Sequence, residues 1–246
     1  MKLKVLSSGS AGNCYILEND SEALILEAGV KFAEVQRALN FNIGKIVGCL
    51  ITHEHKDHAG HILSFPQFID VFCSKGTADS VREIGEKSKV HIVSEKQIFS
   101  SGTFKIIPFA TKHDAAEPLG FFINHAETGN ILFATDTYYL PCTFAGLNNV
   151  LIECNYRLDI LERNIAAGHI PVAMCKRILQ SHFSYEHCLQ ALQANDLRAV
   201  NNIVLIHLSD GNSNAEEFIT GIKAATGKNV YVAEKGMQIL FNKTPF

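Results

Sequence analysis

Residues 52–58, which read THEHKDH, contain three imidazoles and a carboxylate that could bind metal. The four donors are His53, His55, Asp57 and His58. Imidazole and carboxylate are ligands that zinc and its divalent neighbours accept readily. Residues two apart point to different faces of a helix, so these donors converge only in a short loop. Because the segment follows an apolar, strand-like stretch, the pattern favours a metal site over a solvated histidine-rich turn.

Three further donors lie far away in the sequence. His113, Asp136 and His207 each come shortly after an apolar stretch that predicts a strand. Taken singly, each histidine reads as a surface or hydrogen-bonded residue, and the aspartate reads as a turn or helix cap. Their shared position at strand ends, where sites are commonly built on a rigid scaffold, favours additional metal ligands instead.

The elements that must position these donors alternate along the chain, with strands first, then helices, and then the same again. Helices that cover strand-rich sheets predict a layered α+β sandwich. No linker rich in proline, glycine or serine divides the sequence, so we expect one domain over residues 1–246. After the metal-binding segment, residues 59–68 predict a helix, and residues 121–125 and 131–134 predict a hairpin.

Composition narrows the class of protein. Of the 246 residues, 47% are apolar, which is enough for a sizeable core, and the net charge of −3 predicts no tight nonspecific binding to nucleic acid. The chain has no signal-peptide pattern at its start and no apolar run near the ~18 residues that span a bilayer. The seven cysteines are scattered and form no CxxC pair. We therefore expect reduced thiols, a cytoplasmic location and no membrane partner.

The order H-x-H-x-D-H and the later donors resemble the metallo-β-lactamase fold superfamily over nearly the whole chain. That resemblance implies a four-layer αββα sandwich and a site for two divalent metal ions. It assigns His53, His55 and His113 to the first metal. It assigns the remaining donors to the second metal, with one of them bridging both ions: Asp57, His58 and His207, and Asp136 as the bridge.

A finer resemblance is to the nuclease-like YycJ/WalJ-like branch of that superfamily. It rests on four stretches of matching order and spacing: residues 6–13, 113–118, 181–184 and 207–209. Two positions depart from the superfamily pattern. Glu27 stands where an aspartate is usual, and residues 210–214, which include Asn212, read DGNSN where an asparagine pair is common.

Cleavage of a phosphodiester also needs a proton for the leaving oxygen. Two metals can share a hydroxide as the nucleophile, but the acid must be a residue that binds no metal. We predict that His182 is this acid and that Glu153 is its partner, since a neighbouring carboxylate raises an imidazole pKa. The alternatives are a core or capping histidine and a surface glutamate. The pair resembles one in the tRNA 3′-processing endonucleases of the superfamily. Asp57 is the third residue that we expect to be essential for cleavage, in its case as a metal ligand.

Substrate contacts are the least constrained part of the sequence. The small-residue loop 7–13 offers Ser10 and Asn13, and Asn212 is a third candidate. Tyr138 and Tyr139 read either as cleft residues or as core. Several cations read either as the edge of the cleft or as solvated surface: Lys56, Lys112, Arg157, Lys176 and Arg177.

The favoured activity is a phosphodiesterase that acts on nucleic acid, in its finer form a DNA exonuclease. The alternatives are a small-molecule hydrolase of a cyclic phosphodiester or a thioester, and a binding protein with a vestigial site. The donors favour zinc and also accept manganese or iron. The sequence does not give an oligomeric state.

Overall fold

Two seven-stranded β-sheets form the centre of the structure, a computed structural model that describes residues 1–81 and 89–245. Numbered along the chain, the strands are β1 Lys2–Ser7, β2 Cys14–Glu18, β3 Ala23–Leu26, β4 Ile46–Leu50, β5 Asp70–Cys73, β6 Lys89–Ile92, β7 Phe99–Ser101, β8 Phe104–Ala110, β9 Leu119–His125, β10 Gly129–Ala134, β11 Leu147–Glu153, β12 Asn202–Ile206, β13 Asn229–Val232 and β14 Gln238–Leu240. The first sheet has the order β14-β1-β2-β3-β4-β5-β6, and the second has the order β13-β12-β11-β10-β9-β8-β7.

Each sheet is antiparallel on one side and parallel on the other. In the first sheet the pairing is antiparallel from β14 to β3 and parallel from β3 to β6. In the second sheet it is antiparallel from β7 to β10 and parallel from β10 to β13. Parallel neighbours end at the same edge, so the loops after β3 and β4 of the first sheet lie together, as do those after β10, β11 and β12 of the second, and the two sets of loops meet at one end of the sandwich.

The side chains of the strands alternate between two hydrophobic layers. Leu24 and Leu26 of β3 point into the core between the two sheets, where Phe121 and Phe133 of the second sheet also lie. Ile25 points the other way, into a core covered by helices. The strands are thus buried on both faces, which explains why several of them read as continuous apolar runs.

Helices cover the outer face of each sheet. Seven α-helices occur in the part of the chain that the structure describes: α1 Phe32–Ala38, α2 Lys56–Ala59, α3 Lys75–Ser80, α4 Leu158–Ala166, α5 Val172–Ser181, α6 Tyr185–Gln193 and α7 Ala215–Thr226. Side chains of α1 pack on the first sheet, and side chains of α6 and α7 pack on the second. The layers therefore run helix, sheet, sheet, helix, which confirms the predicted α+β sandwich.

The predicted helix over residues 59–68 is wrong. The chain forms only the short α2 and a 3₁₀ turn at Ile62–Ser64. The helix ends at Gly60, and the backbone N–H of His61 donates to the carbonyl oxygen of Ala28 instead of continuing the helical ladder. The predicted hairpin is confirmed, with His125 opposite Gly129. Within residues 1–81 and 89–245, no helix is both long and apolar enough to cross a membrane.

Candidate metal centre

Sharp turns at the strand ends aim the side chains of the site. Glu27 directly follows β3, Asp136 lies just beyond β10, and His207 directly follows β12. Their φ angles are 69°, 44° and 54°, in the left-handed region that non-glycine residues rarely adopt. Such a conformation costs on the order of 1–3 kcal/mol per residue and persists where the surrounding structure enforces it. Three of the non-glycine residues with positive φ thus lie at the strand ends that carry the predicted donors.

Three imidazoles form the first group of donors. His53 Nε2 lies 3.1 Å from His55 Nδ1, and His113 Nε2 lies 3.1 Å from the same atom. Two nitrogens bound to one zinc ion at ~2.1 Å in a tetrahedral arrangement would lie about 3.4 Å apart. The three nitrogens therefore already have a spacing close to that of a metal site.

Two carboxylates and two imidazoles form a second group beside the first. His58 Nε2 lies 3.3 Å from Asp57 Oδ2 and 3.3 Å from Asp136 Oδ2. His207 Nε2 lies 3.4 Å from Asp57 Oδ2. Both groups satisfy the geometry expected of residues able to hold a metal ion. All seven donors identified in the sequence are thus brought together.

Asp136 lies between the two groups. Its Oδ2 atom is 3.3 Å from His58 Nε2 on one side and 3.5 Å from His113 Nε2 on the other. Its other oxygen, Oδ1, accepts hydrogen bonds from the Thr135 hydroxyl at 2.7 Å and from His207 Nδ1 at 2.5 Å. The imidazoles of His207 and His58 outweigh the effect of burial and hold the pKa of Asp136 well below its usual range. An ionised oxygen therefore faces both groups.

Other hydrogen bonds fix the second nitrogen of several imidazoles. Thr52 donates its hydroxyl proton to Glu27 Oε1 at 2.6 Å, and this leaves its oxygen to accept from His53 Nδ1 at 2.9 Å. The same Glu27 oxygen lies 3.4 Å from His58 Nδ1. The hydrogen bond from His53 Nδ1 to Thr52 directs the lone pair of His53 Nε2 towards the other donors. The Glu27 carboxylate is the charged group nearest His58 Nδ1. Glu27, which replaces the usual aspartate, thus reaches one imidazole of each group.

His113 is oriented from the second half of the chain. Its Nδ1 donates to the carbonyl oxygen of Ser181 at 2.8 Å. The hydroxyl of Ser181 in turn donates to Asp114 at 2.9 Å, and Asp114 forms an ion pair of 2.8 Å with Arg177. Burial lowers the pKa of His113, which favours the neutral imidazole that a metal ligand requires.

His182 and Glu153 form a hydrogen-bonded pair next to this cluster. His182 Nδ1 donates to Glu153 Oε1 at 2.6 Å, and it lies 4.0 Å from Asp136 Oδ2. Burial disfavours the imidazolium, but the charge and hydrogen bond of Glu153 outweigh burial and raise the pKa of His182. The structure thus brings together the two residues expected to form the acid and its partner.

The three expected substrate contacts lie in different environments. Ser10 is exposed and lines the cavity above the cluster. Asn13 is fully buried, with Nδ2 3.2 Å from His58 Nε2 and 3.5 Å from Asp57 Oδ2, so it supports the cluster from below. Asn212 is buried and does not itself line the cavity, but it accepts a hydrogen bond from Asn164 and donates one of 3.2 Å to Ser209, which does line it.

Sequence reasoning missed Thr52 and Ser181 as supports of the cluster. Thr52 directly precedes His53, and this adjacency was an available signal for a hydroxyl that could hold Nδ1. No local signal identifies Ser181, because its carbonyl oxygen meets His113 across 68 residues.

A cavity of about 390 Å³ opens above the donors. Its floor includes His55, Asp57 and His182, and its wall includes the apolar side chains of Met174 and Ile178. A volume of this size suits a ligand group of small-molecule dimensions. The cavity therefore gives a substrate direct access to both donor groups and to His182.

Comparison with known proteins identifies the family that shares this architecture. The model of the Beta-lactamase superfamily domain matches residues 24–208. The chain is 27% identical over 230 residues to Exodeoxyribonuclease YycJ of Bacillus anthracis, a match that covers 88% of this chain and 85% of the relative. It is 29% identical over 229 residues to Exodeoxyribonuclease WalJ of Streptococcus pneumoniae, with 86% of this chain and 83% of the relative covered.

Solved structures confirm the fold. The metallo-beta-lactamase fold protein YhfI of Bacillus subtilis superimposes with a TM-score of 0.71 at 13% identity, covering 97% of this chain and 98% of that one. The shared arrangement of two sheets between helices extends over nearly the full length of both chains. The chain therefore belongs to the beta-lactamase superfamily and has the metallo-β-lactamase fold of a family of hydrolases.

Proposed function

We propose that this protein is a phosphodiesterase that uses two divalent metal ions to cleave nucleic acid, with DNA as its substrate. The observation that carries the proposal is the 2.6 Å hydrogen bond between His182 and Glu153, immediately beside the donor cluster. This pair supplies a proton donor outside the seven donors. Protonation of a leaving oxygen is what hydrolysis of an unactivated phosphodiester requires.

The donor set fits two divalent ions. Asp136 is 2% exposed and lies among imidazoles, and burying such a carboxylate is costly unless positive charge compensates it. His53, His55 and His113 would hold one ion. Four other residues would hold the second ion, one of them shared with the first: Asp57, His58, His207 and the bridging Asp136. Imidazole and carboxylate donors favour zinc, and manganese or iron are accepted as well.

When bound, such a pair of ions supplies an activated water and neutralises charge on the phosphoryl oxygens. Side chains of the protein would supply the proton and the contacts that orient the substrate. His182 holds a proton on the cavity side while Glu153 fixes the orientation of its ring. Arg177, which also lines the cavity and is held by Asp114, is placed to contact a phosphate oxygen.

The choice of DNA is supported by the relatives. Both curated relatives described above are named exodeoxyribonucleases, and they align with more than four fifths of this chain. At 27–29% identity the names support a substrate class for this chain and leave the activity itself to experiment.

The test is cleavage of end-labelled DNA and RNA by the metal-loaded protein, with zinc and manganese tried separately. We expect cleavage of DNA and its loss in Asp57→Ala, because Asp57 contributes an oxygen near both His58 and His207. The matched control is Asp20→Ala, an exposed aspartate at the opposite end of the strands, which should cleave as well as the wild type.

Bis-p-nitrophenyl phosphate separates the alternatives. Hydrolysis of this compound together with inactivity on every nucleic acid would overturn the nucleic-acid proposal and favour a small-molecule phosphodiesterase. A protein that binds no metal in elemental analysis would overturn the whole proposal. Hydrolysis of both substrate classes, abolished in Asp57→Ala, would support it.

A further inference from the structure

Two exposed tyrosines, Tyr138 and Tyr139, lie two and three residues after Asp136 in the chain. Tyr138 and Tyr139 are 39% and 57% accessible to solvent. Within residues 1–81 and 89–245, neither ring stacks on another aromatic ring and neither hydroxyl takes part in a hydrogen bond. The core role that the sequence left open is therefore wrong. Both rings offer a free face and a free hydroxyl to a ligand.

The backbone of these tyrosines is held in place, although their rings are free. The N–H of Tyr138 donates to the carbonyl oxygen of Lys112 at 3.1 Å. The hydroxyl of Thr137 donates to the carbonyl oxygen of Tyr139 at 2.8 Å and accepts from the N–H of Lys112 at 2.9 Å. A segment that is already ordered loses little entropy when it binds a ligand.

The tyrosines form one wall of a groove, which we call the tyrosine groove. Residues 138–143 make this wall, and Phe183 together with His187 and Gln190 of α6 makes the other. The groove has a volume of about 440 Å³, and no acidic residue is among those described as lining it. Its walls combine apolar and aromatic side chains with uncharged polar groups and one imidazole, and they present no negative charge that would repel a phosphate backbone.

The tyrosine groove adjoins the proposed proton donor. Glu153 Oε2 accepts a hydrogen bond from the N–H of Thr137 at 3.0 Å and another from the N–H of Phe183 at 3.1 Å. Its second oxygen binds His182. One carboxylate thus holds Phe183 of one wall and Thr137, which directly precedes the other wall, and also binds the residue that would protonate the leaving oxygen.

The backbone partner of Tyr138 is itself a cationic residue, Lys112. Lys112 is exposed and has no ion-pair partner among the residues that the structure describes. It immediately precedes His113, and its backbone holds Tyr138. Exposed lysines and open aromatic rings are the groups with which proteins bind single-stranded nucleic acid, by ionic contact with the backbone and stacking of the bases.

We propose that the tyrosine groove binds unpaired nucleotides on the leaving-group side of the cleaved phosphate, with bases stacked on Tyr138 and Tyr139. This inference rests on the proposed nuclease function and adds a binding surface to it. We place the bound nucleotides on the leaving-group side because the groove lies beside His182, the proposed proton donor. We infer base stacking because both tyrosine rings are free. The partner is a nucleic-acid strand whose bases are not paired.

The test compares the affinity of two probes for the metal-loaded protein by fluorescence anisotropy. One is a short, labelled phosphorothioate oligothymidylate, which resists cleavage, and the other is an abasic strand of the same length. We expect the double variant Tyr138→Ala/Tyr139→Ala to bind the oligothymidylate about 30-fold more weakly or worse, as expected for the loss of two stacked bases. The abasic strand should bind the wild type and this variant equally.

Three variants make the result specific. Tyr138→Phe/Tyr139→Phe keeps both rings and should retain most of the affinity. Phe41→Ala removes another exposed aromatic ring, 70% accessible, at the far end of the strands and should not change binding. The thermal unfolding midpoint and zinc content of the double alanine variant show whether it is folded, and Tyr139→Ala alone replaces it if it is not.

Equal affinity of the alanine variant and the wild type for the oligothymidylate would overturn the proposal that the tyrosine groove binds nucleotides. An equal loss for the abasic strand would overturn it too, because the tyrosines would then act without stacking. Failure of the proposed function has a different signature, in which the wild type cleaves no unmodified DNA or RNA. Weaker binding by the alanine variant and normal binding by the phenylalanine variant would support the inference.

Discussion

The Oε1 atom of Glu27 accepts a hydrogen bond of 2.6 Å from the hydroxyl of Thr52 and lies 3.4 Å from His58 Nδ1. Since Thr52 also holds His53, a single carboxylate reaches one imidazole of each donor group. Glu27 has one more methylene group than the aspartate usual in the superfamily, and it makes both contacts from the position directly after β3. Glu27 is fully buried, and burial raises its pKa.

Loss of this carboxylate should weaken both proposed metal sites. We expect Glu27→Gln to lower the affinity for each of two zinc ions by about 10–100-fold, since supports of metal-bound histidines commonly contribute that much. Thr52→Val should lower mainly the affinity for the ion held by His53. Competition titration with a chromophoric chelator measures both affinities.

Thr128→Val is the matched control for that experiment, because Thr128 is equally buried but lies at the turn between β9 and β10. It should leave both zinc affinities unchanged. Wild-type affinities in Glu27→Gln would refute the role given to Glu27.

The role of His182 as proton donor predicts that the effect of its loss depends on the leaving group of the substrate. His182→Ala should slow cleavage of DNA by about 10²–10⁴-fold, because an alkoxide leaves poorly without a proton. The same variant should hydrolyse bis-p-nitrophenyl phosphate with a much smaller loss, since nitrophenolate leaves unprotonated. Initial rates on the two substrates measure this ratio, and zinc content should stay at the wild-type value.

His169→Ala serves as the control because this exposed histidine lies in the loop between α4 and α5. Equal losses on both substrates in His182→Ala would show that His182 acts on substrate binding or folding and would remove it as the acid. A fall in zinc content would make it a metal ligand.

The sequence predicted the parts of the fold that have local signals. Apolar stretches end directly before His53 and His207, and these stretches form β4 and β12 as expected. The donors meet because parallel strands end at a common edge, a consequence of the layered architecture that the sequence also indicated. The seven proposed metal donors were therefore accessible to sequence reasoning.

Contacts between distant segments were not predictable in this way. Asn13 was expected to face the substrate, yet it lies buried beside His58, 45 residues further along the chain. The failed helix at residues 59–68 has the same origin, since Ala28 takes the hydrogen bond that would have continued it. Local pattern does not show which distant backbone group will compete for a hydrogen bond.

Gly29 allows the loop after β3 to pass against the metal-binding segment. A Cβ atom at this position would lie 1.9 Å from the carbonyl oxygen of Asp57 and 2.4 Å from the backbone nitrogen of Asn13. Both contacts are with backbone, which cannot rotate away. We expect Gly29→Ala to lower the free energy of unfolding by about 2 kcal/mol or more and to weaken zinc binding at Asp57 and His58.

Gly44→Ala is the control for urea unfolding of this variant, because a Cβ at Gly44 meets no atom within 4 Å. Its unfolding midpoint should stay near that of the wild type. Wild-type stability and zinc affinity in Gly29→Ala would show that the segment can shift without cost.

Glu22 joins the two sheets at the end of the strands away from the cluster. It accepts a hydrogen bond of 2.9 Å from the N–H of Thr103, another from the Thr103 hydroxyl, and one of 3.0 Å from His125 Nε2. Burial opposes its ionisation, but these hydrogen bonds outweigh burial and lower the pKa of Glu22. A lowered pKa means that the folded state favours the ionised carboxylate.

The stability that Glu22 contributes is therefore present at neutral pH and disappears as pH falls through its folded pKa. We expect Glu22→Gln to lower the free energy of unfolding by about 2 kcal/mol at neutral pH, as for other buried charged hydrogen bonds. The difference from the wild type should shrink steadily once pH falls below about 4, where the carboxyl of the unfolded chain is protonated. Urea unfolding at a series of pH values measures it, with the exposed Glu162→Gln as the control. A difference that is independent of pH would show that Glu22 stabilises the sheets through packing rather than through its charge.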